Sequence, residues 1–208
     1  MTAANPARDV ETNSEAGPLP RGAAAFADPA PLGLAAFALT TFVLSFTNTG
    51  LFKAEPVVFG LALAYGGIAQ MLAGMWEFAK GNTFGATAFT SYGAFWLAFW
   101  YLTGHTDLSG VDAKDASHGV GLFLLAWAIF TAYMFIASLR TTGALVGVFG
   151  LLTITYLLLA LADLTDTANL AKAGGWFGIA TALVAWYASF AGVLAFTNKR
   201  AVLPVGPR

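Results

Sequence analysis

Long uncharged runs alternate with short polar segments along the 208-residue chain. Each run is apolar without period-two alternation and reaches the ~20 residues that a helix needs to cross a ~30 Å hydrocarbon core. A spanning β-strand would have roughly 10 residues and would alternate apolar and polar positions. The pattern therefore predicts an all-α membrane protein with six transmembrane helices. The six uncharged runs are 29–52, 56–76, 81–104, 119–139, 141–162 and 173–198.

The polar segments divide the chain into three predicted parts. Residues 1–27 are polar and rich in Ala and Pro, which is typical of a disordered tail. Residues 28–198 form the predicted six-helix transmembrane domain, and 199–208 form a short C-terminal tail. The predicted helices are about 31–52, 56–77, 84–104, 119–139, 141–163 and 174–197.

Composition supports a membrane protein and excludes several other classes. The chain is 58% hydrophobic and 10% charged, whereas a soluble domain has roughly 25% charged residues. It has no Cys and a net charge of −1, so disulfides and thiolate sites are excluded and nucleic-acid binding is not indicated. His105 and His118 lie in an acidic loop, which we interpret as solvated and not as a metal site. We predict no cofactor, no metal and no enzymatic activity, because no catalytic cluster of carboxylates or His lies deep in a span.

The distribution of Lys and Arg predicts the orientation. Seven of the ten cationic residues fall in the two tails and in the second and fourth loops. The positive-inside rule therefore places both termini in the cytoplasm of a multi-pass protein of the cell membrane.

Helix 1 carries a polar stripe that follows an aromatic residue. Phe37, Thr41, Ser45 and Asn48 share one helical face. This face is interpreted as the lining of a path. In the alternative interpretation, Thr and Ser bond back to carbonyls of their own helix.

Helix 2 has a stripe of small residues that includes an amide. Ala62, Gly66 and Gly74 favour close helix packing. Gln70 interrupts them in mid-helix, where an unbonded amide is costly. It is predicted either to bond to another helix or to contact substrate. Glu77 lies one turn further along the same face.

Two further groups of polar residues are candidates for the path. On helix 3, Tyr92 lies near the middle of the span and its phenol requires a partner, with Thr87 and Ser91 nearby. The connector 77–83 between helices 2 and 3, with Glu77, Asn82 and Thr83, is predicted to be a tight turn at a vestibule. Glu77 and Asp163 at opposite ends are candidates for proton relay, or else charges at the membrane interface.

The motifs resemble those of the acetate uptake transporter family (GPR1/FUN34/YaaH type). Residues 28–34 read DPAPLGL, where the family signature usually begins with Asn, and Asp28, Pro29, Pro31 and Gly33 carry this motif. Residues 66–93, including GNTFG at 81–85, and VLPVG at 202–206 also match. The resemblance covers about 28–206.

The resemblance implies a six-helix protomer in a hexamer, with a path for acetate and related small carboxylates, including succinate, in each protomer. It also implies a constriction of Phe37, Tyr92 and Leu152, with Leu151 as the alternative for the last position. The sequence leaves open a channel or a proton-coupled carrier. It also leaves open a neutral-solute channel for water or ammonia and a non-transporting structural or signalling hexamer.

Overall fold

The computed structural model describes residues 26–206, and these form a bundle of six long helices. The first 25 residues of the predicted tail and the last two residues of the chain lie outside the described part. The helices are α1 (Ala30–Asn48), α2 (Glu55–Lys80), α3 (Thr83–His105), α4 (Ala113–Ser138), α5 (Gly143–Thr165) and α6 (Ala168–Asn198).

All helices except α3 are long and apolar enough to cross a membrane. Helix α3 has 23 residues, a sufficient length, but it carries more hydroxyl groups and a terminal His105. The prediction of an all-helical membrane protein is confirmed at this level. Among the polar residues of α3, Tyr92 is buried at 3% exposure, whereas Tyr101 is 60% exposed.

Several helix ends differ from the predicted positions, and side chains cap two of the helix starts. Asp112 accepts a hydrogen bond from the Lys114 amide, so α4 begins six residues before the predicted start at 119. Thr142 likewise accepts from the Leu145 amide and starts α5. Helix α1 ends at Asn48, earlier than the predicted 52, whereas α6 begins at Ala168 instead of 174.

The connector between α2 and α3 is shorter than predicted. Helix α2 continues through Glu77 to Lys80, and Gly81 at φ +78° ends it in the left-handed conformation that glycine adopts without strain. Asn82 then caps α3 by accepting from the Gly85 amide at 3.1 Å. Glu77 therefore belongs to a helix and not to a polar turn.

Helix α2 is irregular near its middle. It begins with a 3₁₀ turn (Glu55–Val58) and contains a π-helical stretch (Ala64–Ala69) just before Gln70. Two glycines lie within the π-helical stretch. A Cβ on Gly66 would lie 2.6 Å from Thr40 Oγ1, so glycine is required for the close approach of α1.

Small residues also set the packing of α6 on α1. A Cβ on Gly175 would lie 2.6 Å from the Thr49 nitrogen and 2.8 Å from the Ser45 carbonyl oxygen. Because these atoms belong to the backbone of α1, no side-chain movement would relieve the overlap. The faces of α1 and α6 around Gly175 thus form a close interface within the chain.

The segment 201–206 packs against the bundle. The carbonyls of Val205 and Gly206 accept hydrogen bonds from the Ala144 and Gly143 amides, at the start of α5. Tyr187 on α6 donates to the Pro204 carbonyl at 2.7 Å. The segment thereby satisfies amides that the first turn of a helix leaves without intrahelical partners.

The outer surface of the bundle is apolar. Along α4, Leu122, Ile129 and Ile136 lie seven residues apart and are each more than 60% exposed. A helical face of this kind is compatible with acyl chains or with another apolar protein surface.

Candidate functional site

Two cavities enter the bundle from opposite ends. The tail-side cavity, of about 330 Å³, is bordered by the beginning of α1, the α2–α3 turn and the segment 201–206. The loop-side cavity, of about 350 Å³, is bordered by the end of α1, the end of α3 and the beginning of α4. Within the described residues, Leu152 of α5 is the only residue that borders both cavities.

Leu152 lies in a buried cluster with Phe37 and Tyr92. Phe37, Tyr92 and Leu152 are 4%, 3% and 3% exposed, and they belong to one buried cluster. The ring centroids of Phe37 and Tyr92 are 5.8 Å apart. Leu151 is partly exposed and lines neither cavity. The structure thus places Phe37, Tyr92 and Leu152 in one buried cluster, as the resemblance implied, and Leu152 faces the two cavities.

Sequence reasoning missed Phe149, which completes one side of this cluster. Its ring centroid lies 6.2 Å from that of Tyr92 and 5.2 Å from that of Phe84. It lines the tail-side cavity. Its position three residues before Leu152 on α5 was the available signal, because residues three apart share a helical face.

The hydroxyl of Tyr92 is bonded within the protein. Tyr92 Oη lies 2.9 Å from Thr131 Oγ1, and Thr131 Oγ1 donates to the Trp127 carbonyl at 2.7 Å. A hydroxyl has one proton to donate, so Tyr92 must be the donor to Thr131. The ring of Tyr92 therefore packs in the cluster, while its hydroxyl proton is donated to Thr131 on α4.

A polar group lies on the wall of the tail-side cavity, where α2 meets α3. Glu77 is fully buried, and its Oε2 accepts from Asn82 Nδ2 at 2.8 Å. Among the described residues, neither Glu77 Oε1 nor Gln70 Oε1 has a hydrogen-bond partner. Both side chains line the cavity. This cavity therefore presents unpaired acceptor oxygens in an otherwise apolar wall.

Asp28 stands at the tail-side cavity, and its charge is compensated. Its Oδ1 lies 2.7 Å from Lys80 Nζ and accepts from the Ala30 amide at 3.1 Å. Pro31 lines the same cavity, whereas Pro29 and Gly33 line neither cavity. Gly33 instead allows the ring of Phe89 to approach, since a Cβ there would lie 2.7 Å from it.

The loop-side cavity contains more polar groups than the other cavity. Ser45 and Asn48 from the predicted stripe of α1 line it, as does Asp163 near the end of α5. Glu55 and Trp96 join them. Trp96 is 2% exposed and borders the cavity, a position that the sequence analysis did not predict.

Four predicted lining or vestibule residues do not border either cavity. Thr41 is buried without a hydrogen-bond partner for its hydroxyl among the described residues. Thr87 and Ser91 are partly exposed, and Thr83 is exposed at the start of α3. The predicted stripe on α1 therefore reaches a cavity only through Ser45 and Asn48, together with Phe37.

Within residues 26–206, no three His, Asp or Glu side chains form a group that could hold a metal ion. Each cavity combines mostly apolar walls with hydrogen-bonding groups and two carboxylates, Asp28 and Glu77 on the tail side and Glu55 and Asp163 on the loop side.

Comparison with known proteins relates the chain to membrane transporters. A family model described as the GPR1/FUN34/yaaH family matches residues 11–207. Acetate permease A of Emericella nidulans is 44% identical over 196 residues, which cover 86% of this chain and 66% of that protein. Ammonia transport outward protein 2 of Saccharomyces cerevisiae is 41% identical over 182 residues, covering 84% of this chain and 64% of that protein. The chain thus spans slightly less than two thirds of the length of these fungal relatives.

Bacterial relatives match over nearly their whole length. The succinate-acetate/proton symporter SatP of Escherichia coli K12 is 40% identical over 180 residues, covering 86% of this chain and 95% of that protein. A solved structure described as the bacterial acetate channel SatP superposes with a TM-score of 0.81 at 38% identity. The superposition covers 88% of this chain and 100% of the SatP chain.

Proposed function

Because the chain belongs to the GPR1/FUN34/yaaH family, we propose that it carries acetate and related small carboxylates across the cell membrane. The observation that carries the proposal is the pair of cavities that end on opposite sides of Leu152. Relatives named for acetate permease, succinate-acetate symport and an acetate channel supply the substrate class.

The constriction formed by Phe37, Tyr92 and Leu152 would select by size and polarity. Its surfaces are two aromatic rings and an aliphatic group, and Tyr92 has no free proton to offer. A hydrated anion would have to lose water there without gaining a charged partner, which is costly. A two-carbon acid has a small methyl group and a single polar end, so it loses the least on passing.

Polar groups on either side would replace part of the lost hydration. In the tail-side cavity the side-chain amide of Gln70 is available, and in the loop-side cavity the side chains of Ser45 and Asn48 are available. Glu77 and Asp163 lie in opposite cavities, which suits a relay of protons in a coupled carrier. A passive channel would use the same path without that relay.

The proposed assembly is a hexamer of six-span protomers with both termini in the cytoplasm. The apolar outer face of α4 supports contact with lipid or with neighbouring protomers, since Leu122, Ile129 and Ile136 are exposed along it. The excess of Lys and Arg at the tails supports the orientation. The tail-side cavity would then open toward the cytoplasm.

Ammonia is a second candidate substrate, for a specific reason. The unpaired oxygens of Gln70 and Glu77 in the tail-side cavity accept hydrogen bonds, and ammonia or ammonium would donate them. The yeast relative named for outward ammonia transport supports this alternative.

Flux into liposomes that contain only the purified protein tests the proposal. We expect uptake of labelled acetate above that of empty liposomes, with wider substrate acceptance in Phe37→Ala and slower acetate flux in Gln70→Ala. Acceleration by an inward proton gradient would indicate coupling, and indifference to the gradient would indicate a channel. Ammonia flux without acetate flux would show that ammonia, and not acetate, is the substrate. Absence of both fluxes would favour a non-transporting membrane protein.

A further inference from the structure

Trp96 of α3 is a buried hydrogen-bond donor without an acceptor. Its side chain is 2% exposed, and its Nε1 has no hydrogen-bond partner among the described residues. An indole N–H only donates, and leaving such a buried donor unpaired is costly. The rings of Phe95 and Phe99, with centroids 5.1 and 5.9 Å away, hold the indole in place.

The indole borders the loop-side cavity, where the hydroxyls of two threonines already donate to backbone carbonyls. Thr103 donates to the Phe99 carbonyl at 2.7 Å, and Thr155 donates to the Leu151 carbonyl at 2.9 Å. The remaining donors on this cavity are Ser45 and Asn48 of α1 and the Tyr156 hydroxyl of α5.

The ligand that would fit here has an acceptor oxygen and a small apolar end. The wall beside Trp96 is apolar and ends at Leu152, and the cavity also receives the carboxylates of Glu55 and Asp163. Both carboxylates repel any anion, but they repel a dicarboxylate about twice as strongly as a monocarboxylate, because the repulsion is proportional to the ligand's charge. A monocarboxylate with its methyl group toward Leu152 and one oxygen toward the indole meets both conditions.

The two cavities differ in their unpaired groups. In the tail-side cavity Gln70 Oε1 and Glu77 Oε1 are fully buried acceptors without a partner, whereas Trp96 Nε1 on the loop side is a fully buried donor without a partner among the described residues. A carboxyl oxygen therefore finds an unpaired donor on the loop side of Leu152.

We propose that the indole N–H of Trp96 donates to a carboxyl oxygen of a small monocarboxylate and so forms a binding site in the loop-side cavity. The inference rests on the proposed function, because it places the substrate on the same path. It adds a substrate-contacting residue that has no charge and is fixed by its aromatic neighbours.

Nuclear magnetic resonance of the indole groups tests the site without depending on transport. The full chain, labelled with ¹⁵N-tryptophan in lipid nanodiscs, gives six indole signals, and Trp96→Phe identifies the one from Trp96. Acetate is added against an equal concentration of chloride. We expect a saturable downfield shift of the Trp96 indole proton, with the Trp100 signal unchanged. Trp100 lies one turn further along α3 and borders neither cavity.

Replacement of Trp96 by 3-benzothienylalanine provides the matched flux test, because sulfur replaces the N–H in a ring system of the same shape. Loss of one hydrogen bond to a carboxylate should raise the half-saturating acetate concentration about tenfold. Trp100→Phe should leave it unchanged.

The outcomes separate the inference from the proposed function. An acetate-dependent shift of Trp96 without acetate flux would support the site and reject the transport proposal. Acetate flux with a Trp96 signal that does not respond to acetate would reject the site and leave transport intact. If the benzothienylalanine variant does not fold, the titration of the unmodified chain decides.

Discussion

Tyr92 Oη donates to Thr131 Oγ1 across 2.9 Å, and this bond joins α3 to α4. Thr131 donates its own proton to the Trp127 carbonyl, which fixes the direction of both bonds. Both side chains are buried, with Tyr92 3% and Thr131 0% exposed. A phenol that looks like a donor for substrate in the sequence therefore serves to hold two helices together.

Removing the phenol proton should change transport little. In Tyr92→Phe the ring stays in the constriction, so we expect acetate flux to remain within about twofold of the unmodified chain. Tyr92→Ala removes the ring and should admit larger carboxylates such as lactate. Flux of acetate and lactate into liposomes measures both effects. A loss of acetate flux in Tyr92→Phe as large as in Gln70→Ala would show that the phenol contacts substrate.

The hydrogen bond between Tyr92 and Thr131 should also contribute to the free energy of unfolding. Thr131→Val leaves the buried Tyr92 hydroxyl without a partner, and we expect a loss of about 1–3 kcal/mol in the free energy of unfolding. The double variant Tyr92→Phe/Thr131→Val removes both partners and should recover most of that loss. Unfolding of the four proteins in detergent gives the coupling energy. Additive losses would mean that the two hydroxyls do not interact.

Asn82 joins the start of α3 to the buried carboxyl of Glu77. Asn82→Ala removes the cap on Gly85 and the donor to Glu77, so we expect a loss of about 2 kcal/mol or more in unfolding free energy. Asn82→Asp keeps the cap but loses the donor and should also be destabilising. The double variant Glu77→Gln/Asn82→Asp restores the bond in the opposite direction, because the new amide at position 77 donates to the new carboxylate at position 82.

Melting in detergent distinguishes these cases. Recovery in the Glu77→Gln/Asn82→Asp protein, relative to Asn82→Asp alone, is the expected result. If Asn82→Asp melts like the unmodified chain, the bond to Glu77 contributes nothing measurable.

Leu152 and Leu151 provide a matched pair for the constriction. Leu152 borders both cavities, whereas the neighbouring Leu151 borders neither. Leu152→Ala should widen the substrate range toward lactate, because removing the isobutyl group enlarges the gap between the cavities. Leu151→Ala removes the same atoms from a partly exposed position and should leave selectivity unchanged. Equal selectivity in both variants, at equal amounts of protein in the liposomes, would place the constriction elsewhere.

Gly175 should not tolerate a methyl group. Gly175→Ala forces a Cβ to within 2.6 Å of the Thr49 nitrogen on α1, and such overpacking typically costs about 1–3 kcal/mol. Gly60→Ala is the control, because nothing lies within 4 Å of its Cβ position. Replacing an exposed helical glycine there should raise the melting temperature slightly. A Gly175→Ala protein that melts at or above the unmodified chain would contradict the close packing of α1 on α6.

The sequence by itself determined the helical class and the helix faces. Its uncharged runs fixed where helices could lie, because burial of apolar surface and the 3.6-residue period are both read from neighbouring positions. The buried stripe Ala62–Gly66–Gln70–Gly74–Glu77 on α2 and the inward faces with Phe37, Tyr92 and Leu152 follow from that period. The motif at 81–85 likewise predicted the turn into α3.

Only the tertiary structure decided which polar atoms find partners. Tyr92 meets Thr131 and Glu77 meets Asn82, whereas Trp96 and Gln70 each leave one polar atom unpaired. These outcomes depend on how far one helix is shifted and rotated against another, and neighbouring positions in the sequence do not specify that. The π-helical stretch (Ala64–Ala69) and the glycine contacts set the shift for α2. Hence the inward face that carries Tyr92 was predictable from sequence, but the partner of its hydroxyl was not.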